Sequence, residues 1–261
     1  VQFGDGVAGA RPESGVENIV ASYRKGSGLV GRVRAGQLNM LLTRPLGVIG
    51  VTNPLVSSGG TDPESARDAK LNIPRSALTL GRIVSVRDFE DHAARFPGVA
   101  KAQAVLLWNG TRQAVHLTVA GPEGEAIDPA NLAASIDSVR DARFPFVLDN
   151  VEIIRFAVAL EVLVKPGFLS EKVFPAVQAR IREAFGFSKR LFSEAVTASQ
   201  ILAEVQEVEG VEAANLTGLG SGDDKVLRIK PARSQGGVLL PAQMLLVDDG
   251  AIEIKEMKRD L

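Results

Sequence analysis

Cysteine is absent from this chain, histidine occurs twice, and aromatic residues make up only 5% of its 261 positions. The missing thiols exclude disulfides, thiolate nucleophiles, zinc ribbons and iron–sulfur clusters. They leave the compartment open, because a cysteine-free chain suits a reducing cytoplasm and an extracellular particle alike. With only His92 and His116 available, one chain cannot assemble a histidine-rich metal site. Charge of one sign is not in excess either: 30 Lys and Arg stand against 31 Asp and Glu, a net charge of −1. A dedicated nucleic-acid binder would carry a strong basic surplus. No apolar run approaches the roughly 18 residues of a membrane span, and the most apolar stretch, Phe156–Val164, is interrupted by Glu161. The charged and apolar regions of a signal peptide do not open the chain. It starts on Val1 rather than Met, as a piece of a longer protein would.

What is present is a globular composition, 45% hydrophobic and 23% charged, with a mean hydropathy of +0.10. At about 150 residues per domain the length allows one or two domains with real cores. Residues 1 to about 58 read as β structure, with glycine turns punctuating short runs at Asn18–Tyr23, Gln37–Thr43 and Gly47–Thr52. Val56-Ser-Ser-Gly-Gly-Thr-Asp62 has linker composition. Asp62 as cap and Pro63 at the first helical position then predict a helix ending by Asn72, before Pro74.

From Leu80 strand and helix patterns alternate. The spacing predicts a strand at Arg82–Val84, a helix from Ser85 to Phe96, and strands at Ala100–Trp108 and Gln113–Ala120 joined through Asn109-Gly110. A helix opened by Asp128-Pro129 runs to about Arg143, followed by a strand at Val151–Arg155. That order, βαββαβ, is the ferredoxin-like split βαβ arrangement. A second unit follows: a strand at Phe156–Val164, and a helix at Ser170–Phe185 with Val173, Val177, Ile181 and Phe185 on one stripe. Pro175 predicts a late start or a kink in that helix. Next come a helix at Thr197–Val208, paired strands at Val211–Leu216 and Val226–Ile229, and a hairpin of Met244–Val247 with Ala251–Glu256 across Asp248-Asp249-Gly250.

The two units share an internal repeat offset by 112 positions, which carries Ser85 onto Thr197, Phe89 onto Ile201, Ala93 onto Val205 and Phe96 onto Val208. Gly98, Val99 and Ala102 fall on Gly210, Val211 and Ala214. Both copies open with a capping-box pattern, Ser85-x-x-Asp88 and Thr197-x-x-Gln200, and leave a helix through a Gly-Val step into a strand. The expected fold is α+β: a β-rich segment over 1–60, read as the end of a larger upstream domain, and two small ferredoxin-like modules over 61–155 and 156–261.

Motifs that could carry chemistry resolve into turns and surfaces. Gly26-Ser-Gly28-Leu-Val-Gly31 matches the dinucleotide fingerprint, but a strand-like stretch follows it and no acid lies between Glu17 and Asp62, so it reads as β-turn glycines. Asn109-Gly-Thr111 and Asn215-Leu-Thr217 match the glycosylation sequon but read as turn and strand. His116 lies in an alternating strand and His92 on a helix beside Asp91; with no G-x-S-x-G elbow, both read as structural or surface residues. Glu204, Glu207, Glu209 and Glu212 sit at the mixed spacings of a solvated helix end, and Asp223-Asp224 and Asp248-Asp249 read as turns. A weak surface calcium would lack the regular ligand spacing of a dedicated loop. No catalytic, cofactor-binding or metal-ligating residue is assigned.

A more specific resemblance runs through Val1-Gln-Phe-Gly-Asp-Gly6, Gly9-Ala-Arg-Pro12, Gly15-Val-Glu-Asn18 and Tyr23-Arg24 with Gly26, Gly28 and Gly31. It continues through Thr43-Arg-Pro45, Val51-Thr-Asn-Pro54, Gly59-Gly60, Asp62-Pro-Glu64, Leu80, Val84-Ser85, Asp88-Phe-Glu90, Ala93 and Phe96-Pro-Gly98. In this order they resemble the baseplate J family, assembly proteins of contractile phage tails and phage-tail-like injection systems. The likeness is densest over residues 1 to about 120. It implies a non-enzymatic wedge subunit of a six-fold baseplate, set around the central spike and tube and linked to the sheath. The implied partners are copies of itself, other wedge subunits, the spike or hub and sheath proteins, with no nucleic acid, membrane span, small-molecule substrate or cofactor. The implied place is a particle assembled in the bacterial cytoplasm. Family members are usually longer, with a portion ahead of the FGDG-like segment, and linkers such as Val56–Thr61 are expected to flex between rigid modules. The alternatives are a particle-associated binding module, or a hydrolase using His92 or His116 with nearby acids.

Overall fold

The computed structural model describes residues 4–257 apart from 8, 18, 21–24, 44, 58–61, 64–69, 71–81, 221, 223 and 224. The expected helix after Asp62, the strand at Asn18–Tyr23 and most of the Val56–Asp62 linker fall outside the described residues. Two three-stranded sheets, each covered by two helices, form the body, and the α+β class holds.

The first sheet is laid down by α1 (Val86–Ala94), the hairpin β1 (Lys101–Trp108) and β2 (Gln113–Ala120), α2 (Pro129–Asp137) and β3 (Phe146–Asn150). Ser85 caps α1 in a full capping box with Asp88, and the helix buries Phe89 and Ala93. The hairpin turns where expected: Asn109 Oδ1 accepts the Thr111 and Arg112 N–H groups, and Gly110 takes φ 94°. Val115, Leu117 and Val119 of β2 face Leu132 and Ile136 of α2 in a closed core.

The strand order is β1-β2-β3, with β1–β2 antiparallel and β2–β3 parallel. In a split βαβ unit a first strand would separate β2 from β3. Here Ile83 makes one isolated bridge to Arg140 instead, so the ferredoxin-like strand order does not form. The α2 helix stops at Asp137, short of Arg143. Arg140 binds Asp137 and donates to the Phe144 carbonyl at 2.7 Å, which pulls the chain into β3.

The second sheet, in order β10-β4-β6, uses β4 (Glu152–Val164), β6 (Val211–Leu219) and β10 (Gln243–Glu256). The expected strand at Val151–Arg155 belongs, from Glu152, to the long strand β4. Phe156, Val158, Leu160 and Val162 of β4 bury against α3 (Ser170–Phe185) and α4 (Ala198–Gln206), which contribute Val177, Ile181, Ile201 and Val205. α3 starts at Ser170 and carries Pro175 inside it, so the late start is not seen.

Two pairings differ from expectation. The residues of 226–229 do not pair with β6: β7 (Val226–Leu227) pairs with β5 (Val196–Thr197), while β6 pairs with β4. The closing hairpin is instead one strand, β10, parallel to β4 throughout. Val247 pairs with Phe156 and Ile252 with Val158, so residues 248–251 bulge opposite Ala157. A small hairpin, β8 (Arg233–Gln235) with β9 (Val238–Leu240), precedes it.

Among the described residues 4–57 no strand forms; Gly28–Gly31 makes a 3-10 turn, and the rest is irregular. The β-rich reading of this segment fails for lack of a partner, since extended backbone becomes a strand only against a ladder.

Candidate interaction surfaces

Several buried ionisable groups of the body are held in structural contacts. His116 is fully buried on β2; its Nε2–H donates to Asp149 Oδ2 at 3.0 Å, and its Nδ1 accepts the Thr118 hydroxyl at 3.3 Å. Thr118 Oγ1 in turn accepts the Ala242 N–H at 3.1 Å. Asp, His and hydroxyl are thus aligned, but Thr118 has no exposed surface on which an acyl group could reach it. The chain of bonds ties β3, β2 and the entry to β10 together. His92 is half-buried between α1 and α2, with Nε2 3.0 Å from Ser135 Oγ; burial, and then Arg95, push its pKa below the ordinary value.

The acidic groups likewise have local duties. Arg180 binds Glu204 at 2.7 Å and also Glu207. Asp248 Oδ1 accepts the Gly250 N–H within the bulge, and Asp249 lies 3.4 Å from Arg182. Glu209 and Glu212 are exposed beyond the end of α4, and the Asp223-Asp224 turn lies outside the described residues. No group of three His, Asp or Glu side chains among the described residues could hold a metal ion. Asn109 spends its side chain on the hairpin turn, and Asn215 stands on β6 opposite Glu161. Around Gly28, Asp62 Oδ1 accepts the Leu29 N–H at 2.9 Å, which occupies the turn that a phosphate would need.

Sequence reasoning passed over two cations: Lys101, which ties β1 to the loop after α3, and Arg190, which braces that loop from within. Lys101, on β1, donates to the carbonyls of Phe187, Ser188 and Arg190 and lies 4.7 Å from the Phe187 ring centre. Burial pushes its pKa down, against the pull of Glu194. Arg190 is buried and donates to the carbonyls of Glu194 and Ala195 at 2.6 and 2.9 Å. Around them Ala120, Phe187, Met244 and Leu246 form a third core between the sheets. No sequence motif signals such carbonyl cages, because their acceptors are main-chain atoms.

Among the described residues are two surface clefts. One, of about 370 Å³, lies between the N-terminal segment and the first sheet, with Arg32, Ser57, Pro97 and Glu125 on its walls. The other, of about 390 Å³, opens at the β10 bulge beside Arg155, Leu227 and Arg228. In the first, Ser57 Oγ accepts the Val33 N–H and Glu125 binds Arg32.

Large apolar side chains are exposed elsewhere. Residues 33–57 form a loop closed at its neck, where Ser57 N–H donates to the Val33 carbonyl and Val33 N–H to Ser57 Oγ, at 3.0 and 2.9 Å. Asn53 fills the neck, accepting from Leu38 N–H and donating to the Arg34 and Leu55 carbonyls. Beyond it Met40, Leu42, Leu46 and Ile49 stand exposed, and so do Leu106, Trp108 and Phe144 at the far end of the first sheet. Exposed apolar surface on this scale marks contacts with other molecules.

Comparisons with known proteins agree with this picture. Residues 81–149 match the family described as the Baseplate J-like central domain. No curated protein matches the chain. Among solved structures, the fold is similar to a chain in a cryo-EM structure of the anti-feeding prophage (AFP) baseplate, 6-fold symmetrised, with a TM-score of 0.52 at 14% identity. The match covers 87% of this chain and 52% of that one, so this chain spans about half the length of its structural relative.

Proposed function

We propose, from the match of residues 81–149 to the Baseplate J-like central domain, that the chain is a baseplate J family protein and a structural wedge subunit of a contractile injection system or contractile phage tail. It links to copies of itself, to other wedge subunits, to the central spike or hub and to the sheath, and it turns over no substrate. Its working units are the segment 1–60 and the α+β modules 61–155 and 156–261, assembled in the bacterial cytoplasm into the particle.

The observation that carries this reading is the contrast between closed ionisable groups and open apolar surface. His116, Lys101 and Arg190 are bound to the protein's own acceptors, whereas Leu42, Leu46, Ile49 and Trp108 face outward. Exposed apolar side chains in number mark surfaces that meet other molecules, whereas a catalytic site gathers perturbed ionisable groups in a cleft. The match to residues 81–149 and the fold likeness to an AFP baseplate chain support the same assignment.

The test is to delete the chain from cells that make intact particles and to examine what they release. The expected result is loss of sheathed, baseplate-capped particles, restored by supplying the chain from a plasmid. Normal particles in the deletion strain would refute the proposal.

A further inference from the structure

Residues 37–43 have the sequence of a strand but pair with no strand among the described residues. Leu38, Met40 and Leu42 alternate there and are 52%, 77% and 101% exposed. The segment is not free to wander, because the Asn53 clamp holds its base at Leu38 N–H, 2.8 Å from Asn53 Oδ1. A presented, apolar, period-two segment without a ladder is half of a β-sheet interaction.

The first sheet supplies the other half. Among the described residues β1 is an edge strand, paired with β2 alone. Asn109 N–H donates to the Arg112 carbonyl across the hairpin at 3.0 Å, so by antiparallel alternation the odd-numbered positions of β1 bond to β2 and the even-numbered ones point outward. The Ala104 N–H fits this parity, since it leaves the sheet to reach Glu90 Oε2 at 3.3 Å. That carboxylate covers the middle of the edge. Past it, Leu106 and Trp108 present outward backbone groups, with side chains 47% and 55% exposed. The β8–β9 hairpin touches this end of the sheet at the turn, where Gly237 meets Asn109 and Gly110. The edge beside it pairs with no described strand and carries the chain's single tryptophan, the kind of surface that pairs with another strand.

The segment does not fill this edge within one chain. Its neck is moored at the opposite end of the sheet, where Arg32 lies 3.4 Å from Glu125 and shares a cleft with Gly98 and Gly121. We propose that residues 37–43 of one copy add as an extra strand to β1 of a second copy, along Leu106–Trp108. Leu38, Met40 and Leu42 supply the apolar face that packs beside Leu106 and Trp108. Giver and receiver are different surfaces, so every copy does both, and the contact propagates head to tail until a ring closes. This inference rests on the baseplate reading for that ring.

The absence of native cysteine gives a clean test. Cells producing particles would carry two forms of the full chain, a tagged one with Met40→Cys and an untagged one with Leu106→Cys. Particles are purified, oxidised and run without reductant. The expected result is a tagged–untagged covalent dimer that reductant dissolves. It should recur with Trp108→Cys and be absent with Val147→Cys, on the opposite edge strand β3. Particles that contain the chain but give no more dimer with Leu106→Cys or Trp108→Cys than with Val147→Cys would overturn this inference alone. Particles that lack the chain would overturn the baseplate reading and this inference with it.

Discussion

Gly98 and Gly210 occupy the same step in two helix–strand units, with φ of 88° and 94°. Around each the same bonds recur: Val99 N–H to the Phe96 carbonyl at 3.1 Å, and Val211 N–H to the Val208 carbonyl at 3.2 Å. Both helices begin in a complete capping box, at Ser85 with Asp88 and at Thr197 with Gln200. Each strand is then the antiparallel neighbour of a central strand whose other neighbour is parallel. The second unit differs in where the chain enters, because its central strand β4 comes first rather than after the repeat.

Gly210→Ala should therefore be severe. The new Cβ would sit 2.7 Å from Phe168 Cδ1 and 2.9 Å from Val173 Cγ2, on a left-handed backbone. The cost is about 2–4 kcal/mol, from backbone strain and overpacking together. Urea unfolding should show a markedly lowered midpoint; a midpoint within error of the parent would contradict the packing described.

Thr118→Val keeps the shape of the side chain and removes its oxygen. The Ala242 N–H then loses its acceptor inside the protein, and His116 Nδ1 loses its donor. A loss of about 1–3 kcal/mol is expected. Hydrogen exchange should quicken at Ala242, on the far side of the contact, and unchanged protection there would argue against the link.

Lys101→Met retains much of the apolar stem but frees the carbonyls of Phe187, Ser188 and Arg190. The loop after α3 should loosen. Trypsin, which cuts after Lys189 and Arg190, reads this directly: faster cleavage at those two bonds is the expected outcome, and an unchanged rate would show that the amine is not what holds the loop.

His92 gives the protein an acid-side slope. Above its ordinary value of about 6.5 the ring is neutral folded and unfolded, and contributes no pH dependence. Below it the unfolded chain takes up a proton that burial, and then Arg95, resist in the folded state, so stability declines as pH falls towards the lowered folded value. Replacing it, His92→Gln should flatten the fall in Tm between pH 7 and pH 5 relative to the parent. Identical slopes would contradict the burial argument.

Local chemistry carried much of the fold in the sequence. The Asn109-Gly110 turn with its flanking alternation marked β1 and β2, and the stripe Val173, Val177, Ile181 and Phe185 marked α3 to its ends. Pairing was less legible. Asp248-Asp249-Gly250 reads as a hairpin turn, and only β4 running alongside makes it a bulge in a single parallel strand. β3 went unseen because Phe146–Asn150 is defined by its contact with β2, and Ile83 falls short of a strand for the same kind of reason. The candidate surfaces divide likewise. The sequence placed His92 on a helix and His116 on a strand, but the meeting of His116 with Asp149, Thr118 and Ala242 spans residues that only the folded chain brings together.

The most direct measurement of the central claim is cryo-electron microscopy of purified intact particles, with the chain's copies counted in the density. A structural baseplate part should occupy fixed positions related by six-fold symmetry around the central axis, in stoichiometric amount. Intact particles whose baseplate density contains no copy of this fold would contradict the account.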